Sequence, residues 1–305
     1  MSKNVLLISR HESRSSYDTP ESMREGLQQA AGEEAITYTA SSYEDLLFRF
    51  DGKELTVTDT LGGRDVRDFD GIFLFGWYKD PMQQDIAFCL ALYAEAHGVP
   101  FLNAEAKSRS RTKLSQYVLA ALNNVSITPF VFVQQAHKMR QAAEATGLAY
   151  PFIVKSARGS KGANNYLVRD AAAFDAAMQA NADMNFVAQT FVPNDGDYRI
   201  LVMGGKVRLA MLRRAQGDTH LNNTSQGGSA EIVPLESLDA AMLAESVKVA
   251  ALVRREVTGV DMIVHKETGK YYLLEVNNMP QLSTGSLVPE KLAVLDAYLR
   301  EWIGA

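Results

Sequence analysis

The stretch from Asp70 to Asn103 restricts the architecture of this chain more than any other. Ile72-Phe73-Leu74-Phe75, an unbroken apolar block after Asp70-Gly71, has the pattern of a strand buried on both faces. From Met82 to His97 apolar residues recur at Met82, Ile86, Cys89, Leu90 and Tyr93, which gathers them on one side of a helix that Gly98 and Pro100 end. Pro100-Phe101-Leu102-Asn103 then opens another strand. A strand-helix-strand unit lays its two strands parallel with the helix on the sheet. With Val5-Leu6-Leu7-Ile8 as a further buried strand, the first hundred or so residues are expected to form an open parallel sheet.

A chain of 305 residues exceeds what one hydrophobic core usually serves, so more than one compact unit is expected. Residues Lys107 to Asn123 read as helix and Ile127-Thr128-Pro129 as the start of an extended stretch, placing the first boundary near Ala104 to Val125. Pro151 to Val192 reads as a small unit of strand, loop, strand, helix and strand. Two strands flank Gly204-Gly205, and a helix carries Leu243, Val247, Ala250 and Val253 on one face. Strands Val260–Val264 and Tyr271–Val276 are joined by the turn signal Thr268-Gly269-Lys270. The division is therefore 1–105, 106–192 and 193–305, mixing α/β and α+β organisation.

Composition narrows the function. A formal charge of -5 argues against a nucleic-acid backbone as the main partner. Cys89 is the only cysteine, which excludes an intramolecular disulfide and a cysteine metal cluster and fits a reducing, cytoplasmic setting. Val5 to Ile8 is too short for the apolar core of a signal peptide, and no apolar run approaches the ~20 residues that span a bilayer. The five histidines are scattered without metal-ligand spacing.

Oxygen chemistry concentrates near the C-terminal hairpin. Glu275 and Asn277, two apart in a strand, share one face, and Asp261 lies on the partner strand. Three oxygen donors with room for water suit Mg²⁺ held against phosphates; as isolated residues they read first as the exposed polar side of a half-buried hairpin. Upstream, Pro151-Phe-Ile-Val-Lys155 is a strand ending in a lysine, followed by Arg158-Gly159-Ser160-Lys161-Gly162-Ala163. Such a loop can close backbone N–H groups over phosphate oxygens or can be a solvated turn.

Together these blocks resemble the ATP-grasp enzymes, from Val5 to about Leu292. Phe152–Lys155 is similar to the adenine-side lysine strand, and Gly159, Ser160 and Gly162 to the flexible phosphate lid. Gln189, Thr190 and Phe191 resemble the hinge beside adenine, and Asp197 the ribose-hydroxyl position. Asp197-Tyr198-Arg199, Arg213-Arg214, Asn222-Asn223 and Gly227-Gly228 are similar to the branch containing ribosomal-protein glutamate ligases. Gly259-Val260-Asp261-Met262 and Leu274-Glu275-Val276-Asn277 match the metal strands.

The resemblance implies an ATP-grasp fold with an N-terminal open parallel-sheet domain on the substrate side, a lid in 106–192 and a metal site in 193–305. It also implies ATP with Mg²⁺, or Mn²⁺ in its place, on Asp261, Glu275 and Asn277. Lys155, Lys113 and Asn222 are expected near the phosphates; a solvated helix face is the other reading of Lys113, and a plain turn that of Asn222. Adjacent strand residues face opposite ways, so one of Arg213 and Arg214 points inward; the resemblance favours Arg213, as stabiliser of a tetrahedral oxyanion.

The implied reaction activates a carboxylate as an acyl phosphate and captures it with an amine. A kinase acting on another acceptor and a non-catalytic nucleotide-binding module are the alternatives. After Asn277 the chain departs from many such ligases: Gln281 replaces a glycine, and Ser283 to Pro289 is similar to D-alanine:D-alanine ligases. There a serine, matched by Ser286, holds a substrate carboxylate, so an amino acid or peptide bearing a free carboxylate is the expected substrate. Arg10 and Arg14, after the first strand, are candidates for an anionic substrate or members of a solvated loop. Self-association, if present, is expected as a C₂ homodimer.

Overall fold

The computed structural model describes residues 3–11, 18–31, 36–76, 78, 80–104, 107–109, 112–158, 164–181, 183–216, 222, 228–278 and 280–305. The N-terminal region runs β1 (Lys3–Ser9), α1 (Pro20–Ala31), β2 (Ile36–Ser42), β3 (Leu46–Phe50), β4 (Leu55–Asp59), β5 (Arg64–Asp65), β6 (Gly71–Leu74), α2 (Pro81–Ala96) and β7 (Phe101–Leu102). A four-stranded sheet in the order β2-β1-β6-β7 is parallel throughout, as the strand-helix-strand pattern requires. Val5 to Ile8 is fully buried because β1 is central: Val5 and Leu7 face α1, Leu6 and Ile8 the side packed by α2. Strands β3 to β5 form a separate three-stranded antiparallel sheet that the apolar pattern did not announce.

Two sequence expectations need correction here. The buried side of α2 is Gln83, Ala87, Leu90, Ala91, Tyr93 and Ala94, so Leu90 and Tyr93 face inward as expected, while Met82 is largely exposed. Small alanines let the helix approach the sheet closely, which turns Met82 outward. The helix expected from Lys107 begins only at Lys113: Thr112 and Ser115 form a reciprocal capping box that satisfies the first free N–H groups there, giving α3 (Lys113–Leu122).

The middle of the chain contains β8 (Phe130–Phe132), α4 (Ala136–Ala145), β9 (Phe152–Ser156), β10 (Asn165–Val168), α5 (Ala171–Gln179) and β11 (Phe186–Thr190). Its strands pair antiparallel in the order β10-β9-β11-β8. Met139 of α4 and Phe174 of α5 cover one face through Phe152, Val154, Phe186 and Ala188, while Val187 on the other face meets Tyr117 of α3.

The last third is β12 (Asp197–Met203), β13 (Lys206–Arg214), β14 (Ser229–Ile232), α6 (Ala240–Val253), β15 (Val257–Val264), β16 (Tyr271–Asn277) and α7 (Val288–Ile303). These strands form an antiparallel sheet ordered β14-β13-β12-β15-β16. Ile200 and Val202 pack on α6 through Val249, Ala250 and Val253. Leu201 and Met203 turn the other way, into a core shared with Leu295 and Leu299 of α7, Met23 and Leu27 of α1, and Val5 and Phe73 of the parallel sheet. One core therefore joins the first and last sheets through α1 and α7. The two helices touch closely at Gly26, where an added Cβ would lie 2.3 Å from Leu292 Cδ1. Among the described residues, no helix is long and apolar enough to cross a membrane.

Candidate active site

On the face of the last sheet that carries Leu201 and Met203, alternation puts Asp197 and Arg199 further along β12, Arg213 on β13, and Gly259 and Asp261 on β15. The apolar end of this face is covered by α7; the charged end is the site. Register pairs Asp197 with Arg213, Arg199 with Asp261, and Asp261 with Glu275, so the charges cross three strand interfaces in contact. Gly259 is required for this closeness, since a Cβ there would lie 2.7 Å from Pro280 and 3.5 Å from Arg199.

Asp261 is the hub. Arg199 donates to it through Nε and Nη2, both at 2.9 Å, Arg213 Nη2 lies at 2.8 Å, and Asn277 Nδ2 donates at 3.0 Å. Burial opposes its ionisation, yet the two guanidiniums hold its carboxyl down to about 2. Arg213 is shared with Asp197, whose carboxyl burial pushes above its ordinary range in spite of that contact. Arg213 keeps a buried Nε without a hydrogen-bond partner. Arg214, facing the other way, is exposed and pairs with Glu231.

A β-bulge shapes the neighbouring strand. Asp261 pairs with Glu275 but Met262 with Leu273, leaving Leu274 as an extra residue on β16. Its carbonyl accepts hydrogen bonds from Tyr117 Oη at 2.7 Å and Lys155 Nζ at 3.3 Å. Lys155 is buried at the end of β9, with Nζ 5.1 Å from the centre of the Tyr117 ring. Burial lowers its pKa to about 7, against the attraction of Glu275. Glu275 in turn meets Lys113 Nζ at 3.1 Å; burial raises its carboxyl, but Lys113 and Lys155 together bring it below its ordinary range. Lys113 reaches the site because the Thr112 cap starts α3 there and its own N–H bonds Ala157 O, beside β9. Gln116, one turn along, grips the backbone of Val276 at both its N–H and C=O.

Of the remaining candidates, Gln189 is tied to this cluster through Tyr117. Gln189 is buried at the end of β11, bonded to Tyr117 Oη and Thr128 Oγ1, with Thr190 half-buried beside it. Phe191 lines a cavity of about 660 Å³ between β10 and α5. Asn222 donates to Asn194 Oδ1 at 2.9 Å and accepts from the N–H of Ala215. Ser286 is half-buried in the loop before α7, and Arg10 directly follows β1. Gly159, Ser160, Lys161, Gly162, Arg14, Asn223 and Gly227 lie outside the described residues. Sequence reasoning passed over Tyr117, Gln116 and the role of Arg199, although Arg199 at two residues from Asp197 was a strand-face signal.

The donor set suits Mg²⁺. Asp261 and Glu275 are held anionic on paired strands, and donation by the Asn277 amide NH₂ to Asp261 turns its carbonyl oxygen to the remaining side. No group of three or more His, Cys, Asp or Glu side chains able to hold a metal occurs among the described residues, so a cation here would rely on two carboxylates, an amide and water.

Known proteins place the chain in a family. Residues 109–290 match the RimK-like ATP-grasp domain. A "Probable alpha-L-glutamate ligase" of Thioalkalivibrio sulfidiphilus is 32% identical over 188 residues, 60% of each chain. Another, of Psychromonas ingrahamii, is 27% identical over 91% of this chain and 88% of its own. The chain spans about 58–60% of the length of the first curated relatives it matches. Among solved structures, the ATP-grasp ligase PsnB complexed with minimal precursor, Mg and ADP superposes with a TM-score of 0.70 at 16% identity, covering 98% of this chain and 97% of that one. The macrocyclase MdnC of Microcystis aeruginosa, bound with precursor peptide MdnA, gives 0.66 at 12% identity, covering 97% and 99%. With its parallel N-terminal sheet, its two further sheets and the match across most of residues 109–290, the chain has the ATP-grasp fold and belongs to the RimK-like ATP-grasp family.

Proposed function

We propose that this chain is an ATP- and Mg²⁺-dependent ligase joining a carboxylate to an amine, with an amino acid or a peptide as substrate. The observation that carries the reading is the meeting of Lys155, Lys113, Asp261, Glu275 and Asn277 at one end of the last sheet, from three separate parts of the chain. Bound there, Mg²⁺, or Mn²⁺ in its place, would neutralise phosphate charge. Glu275, Asp261 and Asn277 would hold it, and Lys155 and Lys113 would meet the phosphate oxygens. The division into 1–105, 106–192 and 193–305 follows, with the first unit on the substrate side and the second covering the nucleotide.

The substrate carboxylate attacks the γ-phosphorus of ATP, the bond to the β–γ bridging oxygen breaks, and ADP leaves. The amine then adds to the acyl carbon, the C–O bond to phosphate breaks, and an amide, inorganic phosphate and a proton result. Arg213, beside the hub, would offer N–H groups to the oxyanion formed on addition, its buried Nε included. Ser286 would meet a free carboxylate on the substrate.

The test is ATP turnover with pooled amino acids and short peptides, followed by mass spectrometry of products. ADP, phosphate and a condensed product of one water less are expected. Phosphate retained on the acceptor would instead establish a kinase, and no turnover with any pool would leave a nucleotide-binding module.

A further inference from the structure

The loop between β16 and α7 adopts a conformation that its sequence does not favour. Gln281 and Leu287, both with side chains, have φ of 57°, and Gly285 has 75°. At the two non-glycine positions this costs about 1–3 kcal/mol each and persists only when the surroundings hold it. Two side chains from opposite sides do so. Asp18, buried, accepts hydrogen bonds from the N–H of Leu282 (2.7 Å), the N–H and hydroxyl of Ser283 (3.0 and 3.1 Å) and the hydroxyl of Thr284 (2.9 Å). Lys291, buried on the first turn of α7, donates to the carbonyls of Gln281 and Thr284, the latter at 2.6 Å. Ser22 of α1 adds a hydroxyl contact to Ser283 at 2.9 Å.

An acid on the donors and a cation on the acceptors is more wiring than a plain connection needs. Leu282 already anchors the loop in the shared core. The loop also begins directly after Asn277, and Asp18 belongs to the chain that follows β1 toward α1, so the contact ties the substrate-side sheet to the metal strand. Lys291 is close enough to Arg199, the main partner of Asp261, for their charges to repel. Ser286 is half-buried two residues beyond Thr284, the last residue that both supports grip.

We propose that Asp18 and Lys291 are positioning residues, which hold residues 281–287 in the one conformation that presents Ser286 to the carboxylate of the substrate. This rests on the reading that Ser286 meets that carboxylate. The acid holds the donors of residues 282–284 and the ammonium the carbonyls of Gln281 and Thr284, so the turn leading to Ser286 is formed before substrate arrives.

The test compares wild type, Asp18→Asn, Asp18→Glu, Lys291→Met and Ser286→Ala for KM of the amino-acid or peptide substrate, KM of ATP, and amide exchange of residues 281–287. In Asp18→Asn and Lys291→Met the substrate KM should rise about tenfold or more, with the KM of ATP within about twofold. Loop amides should exchange at least about tenfold faster while exchange in the β12–β15 core is unchanged. Asp18→Glu should restore part of both effects. Should Asp18→Asn fail to fold, Thr284→Val, which removes one contact to Asp18, should raise the substrate KM by about two- to fivefold. Unchanged loop exchange in Asp18→Asn and Lys291→Met overturns the proposal, even if no substrate has been found. So does an unchanged substrate KM in both variants when Ser286→Ala raises it. If Ser286→Ala leaves KM unchanged while Asp18→Asn raises it, the role given to Ser286 fails and the proposal falls with it; loss of loop protection would then mark a purely structural latch.

Discussion

At the residue scale, Asp261 and Glu275 look alike in sequence, each an acid on a strand of one hairpin, but their surroundings assign them different burdens. Asp261 compensates two buried guanidiniums, so Asp261→Asn should destabilise the fold by about 3 kcal/mol or more, because removing one partner strands the others. Glu275 faces Lys113 across a less enclosed contact, with a quarter of its side chain accessible. Glu275→Gln should cost no more than about 1 kcal/mol in urea unfolding. ATP turnover should nevertheless fall by at least about 10²-fold in that variant, as loss of a charge stabilising the transition state does. Equal destabilisation by the two substitutions would remove the distinction. The hairpin and its oxygen donors were legible because the period of two and the turn signal are local. The partners Tyr117 and Gln116 were not, because what gives them a role is a bulge at Leu274 and a helix docked on β16; for Arg199 the period of two gave its face but not its pairing with Asp261, which strand register sets.

At the element scale, α1 and α7 bind the molecule together through contacts with little tolerance. Gly26→Ala would gain about 1 kcal/mol of helix propensity, yet its Cβ would meet Leu292, and overpacking of this kind costs about 1–3 kcal/mol. The variant should therefore be less stable than wild type in chemical denaturation. Helix α7 is also tied to β2: Tyr38 Oη donates to Asp296 at 2.6 Å, and Asp296 is held by Arg300 Nε at 2.8 Å. Burial, then the Asp296 carboxylate, raises the Tyr38 pKa well above 10, while Arg300 acts the other way. Above pH 10 the unfolded tyrosine releases its proton and the folded one retains it, so this contribution is present below about pH 10 and is lost as pH rises. The fall in midpoint temperature between pH 9 and pH 11 should be smaller in Tyr38→Phe than in wild type. Neither α1 nor α7 stood out in the sequence; in α1 the buried face beyond its first residue rests on Met23 and Leu27 alone, too few apolar residues to mark a helix among its polar neighbours.

At the scale of the whole molecule, the site is assembled from the middle sheet, α3 and the last sheet, so nucleotide binding should stabilise all three together. At a concentration of Mg·ATP about 100-fold above Kd, a ligand confined to the folded state adds about 2.7 kcal/mol. Differential scanning fluorimetry should show that gain in wild type and lose most of it in Lys155→Met, whose ammonium contacts Leu274 across the interface between the sheets. The parallel sheet was legible from one strand-helix-strand unit and the final sheet from its hairpin. The joining of the two was not, since Leu201 and Met203 meet Val5 and Phe73 across a separation in sequence that no periodicity reports.

That shared core also bears on how the protein is made. Synthesis delivers β1 first and α7 only after every strand of the last sheet, while Leu295, Tyr298 and Leu299 help cover the face that Val5, Leu7 and Phe73 present. Until α7 has left the ribosome, β1, made long before it, has one apolar side incompletely enclosed. The parallel sheet is thus the part of the molecule that most needs a chaperone during translation, and a ribosome-bound chain halted before Val288 should hold trigger-type holdases longer than one halted beyond Ile303 followed by a linker.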